Sequence, residues 1–168
     1  MRWIPFFMIS SVSFLTAVYI LTNIREFDKR RMALFSLGYL TFIGVILFTP
    51  MSFDGRSVYI MPAGIGSVNL YHIYYDLGFV ENIILTIPLG FLIKEYFYEI
   101  ALFDLIPIGL LIGASIETLQ FVLSHVLLIN RTGDISDVVS NGVGIFIGAS
   151  LFLIYQYAST NKLLDKWI

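Results

Sequence analysis

Five apolar runs, each about as long as a bilayer is thick, decide what this chain can become. They cover about residues 3–22, 32–49, 73–93, 105–123 and 137–157. A hydrocarbon core of about 30 Å takes about 20 helical residues to cross. Backbone groups in lipid must be satisfied within the segment, which a helix does and an open sheet does not. Of the 168 residues 58% are hydrophobic and 13% charged, and mean hydropathy is +0.85. A soluble domain has too little interior to hide so much apolar surface. The expected fold is an all-α integral membrane protein with about five transmembrane helices. A single domain over residues 1–168 is expected, with the polar motifs in about 73–157.

The same composition removes several classes of function. Net charge is −2 and no basic run interleaves with aromatics, so nucleic acid is not a partner. Cysteine is absent, which excludes disulfides and thiolate chemistry. The first run competes with a signal peptide, but only Arg2 precedes it and no small-x-small cleavage site follows, so an uncleaved helix is expected. Between the second and third runs, Asp54, Gly55, Pro62, Gly64 and Gly66 predict a loop. Tyr59, Tyr71, Tyr74 and Tyr75 in that region suit a bilayer interface. Pro88 and Gly90 predict a kink in the third helix.

Lysine and arginine set the orientation. With five spans, Arg25, Lys29, Arg30, Arg31, Lys94, Lys162 and Lys166 fall on one side; Arg2, Arg56 and Arg131 fall on the other. Seven against three predicts the N-terminus outside and the C-terminus in the cytoplasm. The loop around Arg131 then faces outward.

Helix rise turns sequence position into depth. Glu117 lies twelve residues into the fourth span, about 18 Å up a core of about 30 Å. Gln120 is one turn further out. Asn82, with Glu81 beside it, lies about as far above Lys94 on the third span. Asp137 opens the fifth span, and Asn141 sits about 6 Å below it. Three helices thus place polar groups in the same third of the membrane. Facing agrees with depth. Gly113, Glu117, Gln120 and Ser124 share one helix face, and Asp134, Asp137, Asn141, Gly144 and Gly148 share another. Gly144 and Gly148 form a Gly-x-x-x-Gly step that admits a neighbouring helix closely. These patterns predict that the fifth helix's glycine face packs on the fourth helix's Glu117 face.

Read together, Asn82, Pro88, Gly90 and Phe91, then Ser115, Glu117 and Gln120, then Arg131, Asp134, Asp137, Asn141 and Gly144 resemble the VanZ-like family. The resemblance covers about residues 82–148. One departure is the eleven-residue step from Gln120 to Arg131, whose residues 124–129 either extend the fourth helix or lengthen the outer loop. The resemblance implies a multi-pass protein of the bacterial cell membrane that reduces sensitivity to teicoplanin-type glycopeptides.

Each polar residue also has a plain structural explanation. A carboxylate as deep as Glu117 costs about 2.5–3.5 kcal/mol on insertion scales, so it faces the interior, is neutral or has a partner such as Arg131. Gln120 and Asn82 suit inter-helix hydrogen bonds. Asp134 suits the N-cap of the fifth helix, with Asp137 at the third position. His72 and His125 suit the interface. The functional alternatives differ in kind. In a binding factor, Asn82, Ser115, Glu117, Gln120, Arg131, Asp134, Asp137 and Asn141 form an outer-leaflet site. There Arg131 grips a phosphate or carboxylate of a lipid-linked cell-wall precursor or a lipoglycopeptide, among membrane lipids. In an intramembrane enzyme, Glu117 with Asp134 or Asp137 forms an acid–base pair, or the same oxygens hold a hard cation. No HExxH, Gly-x-Ser-x-Gly or phosphatase-like His pair accompanies them, and the sequence names no cofactor. A structural or partner-binding subunit is the third alternative. A transporter fits poorly, since no repeat is detected.

Overall fold

The computed structural model describes residues 1–53 and 56–164. Asp54, Gly55 and Lys166, used above for the loop and the orientation, lie outside the described residues or, for Asp54 and Gly55, between them. Five helices are long and apolar enough to cross a membrane: α1 (Ile4–Asn23), α2 (Phe27–Phe48), α3 (Leu77–Tyr96), α4 (Leu105–Leu127) and α5 (Ile135–Leu164). The protein is an all-α, membrane-embedded chain.

The helix ends follow local chemistry more than hydropathy. α2 begins five residues before its apolar run and takes in Asp28, Lys29, Arg30 and Arg31. Pairs three residues apart support that polar turn: Lys29–Glu26 at 2.8 Å and Arg31–Asp28 at 3.4 Å. Asp76 delays the start of α3, because its carboxylate accepts the Phe79 N–H at 3.0 Å and so caps the helix. Pro88 lies inside α3, which continues through it. α4 runs on to Leu127, so most of the long step to Arg131 extends the helix. Leu128 and Asn130 then take left-handed φ of 57° and 63° to turn the chain. A single 3-10 turn at Leu102–Asp104 leads into α4.

The region expected to be a plain loop carries short strands. β1 (Met51–Phe53) pairs antiparallel with β2 (Val58–Ile60). β3 (Val68–Asn69) pairs in parallel with β4 (Gly133–Asp134), and Gly64 bridges to Ile129. Backbone groups near lipid need partners, and turn residues alone do not reveal which distant segment supplies them.

The chain divides into two compact units, and the dividing point falls inside α4. The first comprises residues 1–71 and 116–134; the second comprises 72–115 and the chain from 135 on. In the first, α1 packs on α2, and the strands gather the 51–69 segment against residues 128–134. In the second, α3 and α5 form the main contact.

Candidate functional site

In the first unit the site is built on the C-terminal end of α2. The last carbonyls of a helix have no partner within it, and in a bilayer each bare group costs several kcal/mol. Pro50 follows and cannot continue the helix. Three side chains supply what is missing on successive carbonyls. Thr49 Oγ1 donates to the Val45 carbonyl at 2.7 Å. Arg131 Nη2 donates to the Ile46 carbonyl and also to that of Met51. Gln120 Nε2 donates to the Leu47 carbonyl at 3.0 Å. Arg131 Nη1 reaches the Ser52 hydroxyl at 3.4 Å. A cation is also favoured at this negative end of the helix dipole.

The backbone that carries Arg131 is itself fixed. The buried Ser124 hydroxyl accepts the Arg131 N–H at 2.7 Å and donates to the Arg131 carbonyl at 2.9 Å. Gly66 lies against that carbonyl so closely that a Cβ would overlap it. Glu117, only 7% exposed, accepts the backbone N–H of Asp134 on Oε2 at 3.0 Å. The Asp134 carboxylate accepts Asn69 Nδ2 at 2.8 Å. Asp134 directly precedes α5, and Asp137 lies in its first turn, so both carboxylates sit where the helix dipole favours negative charge.

The second unit is built differently. Gly144 and Gly148 lie against α3: a Cβ at Gly144 would overlap the Thr86 hydroxyl and the Ile83 carbonyl, and one at Gly148 the Ile87 carbonyl. Gly90 returns the contact, against the Ile145 carbonyl. The Gly-x-x-x-Gly step therefore meets the third helix, where the sequence pattern pointed to the fourth. The fourth helix contributes its first half, with Gly113 against Val138 and Asn141, and Gly109 against Gly142. Thr86 donates to the Asn82 carbonyl at 2.7 Å and lies 3.2 Å from that of Asn141. Asn141 is 1% exposed, and neither amide atom finds a partner among the described residues.

Of the eight residues singled out from the sequence, the first unit brings together Glu117, Gln120, Arg131 and Asp134. The second holds Asn82, Ser115, Asp137 and Asn141. Ser115 is exposed and donates back to the Leu111 carbonyl at 2.8 Å, a local bond. Asp137 is half-buried, and its carbonyl accepts the Ser140 hydroxyl at 3.1 Å. His125 is exposed, with Nδ1 2.8 Å from the Phe121 carbonyl of its own helix. Thr49, Ser52, Asn69, Thr86 and Ser136 escaped the sequence analysis. Ser136 receives the Tyr74 N–H at 3.0 Å. Only the Pro50 break hinted that Thr49 ends a helix. Among the described residues no group of three or more His, Asp and Glu side chains gathers as metal ligands.

No solved structure matches. Protein VanZ of Enterococcus faecium is 33% identical over 89 residues, which are 53% of this chain and 52% of that protein. The chain thus spans about half the length of this curated relative. A family model described as VanZ/LLP1 matches residues 2–156. With that match running from the residue before Trp3 through most of α5, the chain belongs to the VanZ/LLP1 family.

Proposed function

We propose that this chain lowers a bacterium's sensitivity to teicoplanin-type lipoglycopeptides by binding, at the outer leaflet, the drug or a lipid-linked envelope component. No bond need be made or broken. The family membership supports the resistance role. The observation that carries the binding mode is the placement of Arg131 and Gln120 donors on the end carbonyls of α2. Arg131 also bonds Met51 and Ser52 at the start of the segment that runs to Tyr71, and that segment offers Tyr59 and Tyr71 to the surroundings, Tyr71 being 88% exposed. Exposed aromatic rings at a membrane boundary suit an amphiphile whose sugar and peptide face water and whose chain enters lipid. The excess of Lys and Arg on one set of loops supports an N-terminus outside and a cytoplasmic C-terminus, which brings this segment to the outer face.

The test is expression in a glycopeptide-susceptible bacterium, with inhibitory concentrations measured for an acylated glycopeptide and its deacylated form. A rise for the acylated compound alone is expected. Equal effects on both, or none, would overturn the proposal.

An enzyme acting on an envelope lipid is the second reading, favoured by one contact: Glu117 reaches the backbone of Asp134, so two carboxylates belong to neighbouring residues of one cluster. Glu117→Gln separates the two. The amide oxygen still accepts the Asp134 N–H, so a binder keeps most of its effect. An enzyme that uses Glu117 as acid or base loses about 10²–10⁴-fold in rate, and resistance with it.

A further inference from the structure

A groove runs between α1 and α2, lined by Met8, Ile9, Val12, Leu37 and Leu40, with a volume of about 370 Å³. Its two hydroxyl-bearing residues, Ser13 and Thr41, bond to each other at 2.7 Å. Their polarity is spent internally, so the wall behaves as hydrocarbon. Both helices are membrane spans, so the groove's natural filling is apolar. Met8, Val12 and Leu40 are exposed along it, so the groove is open to the alkyl chains of the bilayer.

A charge marks one end. Pro5, Ile9 and Ser13 are spaced four residues apart on one face of α1, and Arg2 stands just before the N-cap at the start of that helix. The Arg2 guanidinium is anchored by donation to the Met61 carbonyl, and its Nε is buried with no partner among the described residues. Met8 lies four residues beyond Ile4, where α1 begins, about 6 Å of helix rise. The positive end of the α1 dipole adds to the field there. A cation before the helix and a hydrocarbon slot that opens about one turn into it match a molecule with an anion on a short polar linker to an acyl chain.

We infer that the α1–α2 groove binds one acyl chain of an anionic glycerophospholipid whose phosphate is held at Arg2. The site meets the 51–71 segment at the Met61 carbonyl but does not use Arg131 or Gln120, and it does not depend on which leaflet faces Arg2.

Native mass spectrometry of the full chain in detergent tests this with phosphatidylglycerol and phosphatidylcholine of identical acyl chains. Retention of one phosphatidylglycerol, favoured about fivefold over phosphatidylcholine, is expected from one Arg near an anionic headgroup. Arg2→Gln should bring the ratio to about one, while Arg56→Gln leaves it unchanged. Leu40→Trp fills the groove from a half-exposed position and should weaken retention of both lipids. Val12→Phe is the second groove-filling variant, should thermal melting show the first to be unfolded. Equal retention of the two lipids, a preference that survives Arg2→Gln, or binding unaffected by a folded groove-filling variant each overturns the inference.

Discussion

The two compact units meet the same demand, a satisfied backbone inside lipid, with different emphasis. In residues 1–71 with 116–134, chains end and turn within or near the membrane, and side chains complete them. Gln120, Arg131 and Thr49 cap α2, and Glu117 receives a backbone N–H at the threshold of α5. In residues 72–115 with those from 135 on, the main contact is helix on helix, and side chains complete the backbone at helix ends, as Asp76 does for the Phe79 N–H and Lys94 for the Tyr98 and Ile100 carbonyls. Glycine is used there to let backbones approach. The difference teaches that buried polar residues have different jobs. Gln120 answers an open helix end; Asn141, equally buried, answers nothing among the described residues.

That comparison is open to attack at several points, all read by thermal unfolding of the purified protein in detergent. The largest effect is expected where backbone meets backbone. Gly148→Val drives a side chain into the Ile87 carbonyl and should cost more than about 4 kcal/mol or leave no folded protein. Gly38→Ala, a helix glycine with nothing within 4 Å of the added Cβ, should be neutral or stabilise by about 0.5–1 kcal/mol. If the two behave alike, glycine is not acting through close approach.

Next comes the cap. Arg131→Met removes the partners of the Ile46 and Met51 carbonyls and should cost about 3 kcal/mol, the range for hydrogen bonds to a charged group and the bare acceptors left behind. Gln120→Leu bares only the Leu47 carbonyl, at about 1–2 kcal/mol. A loss for Gln120→Leu larger than for Arg131→Met would mean that the ranking of the cap is wrong.

The smallest effect has the opposite sign. Leu128 holds a left-handed φ of 57° just past α4. Leu128→Gly relieves a strain of about 1 kcal/mol, and since the leucine is half-exposed it gives up little packing. A lower melting temperature would show that Leu128 contributes more through contact than it costs in conformation.

Local regularities made much of this protein legible from its residues. Apolar length located five spans, because crossing lipid requires it of neighbouring residues. Three- and four-residue spacing grouped Glu117 with Gln120 and Gly144 with Gly148, because side-chain direction on a helix is set by the helix itself. The spacing of Arg131, Asp134, Asp137 and Asn141 carried the family resemblance. What each face meets was not legible. Gly144 and Gly148 turned out to meet α3, and 85 residues separate Arg131 from the Ile46 carbonyl it caps. Asn69 lies 65 residues from Asp134, to which it donates. A helix face states that it needs a partner of a certain shape, and an open carbonyl that it needs a donor. Which distant segment supplies them depends on the path of the chain, and only the tertiary structure decides that.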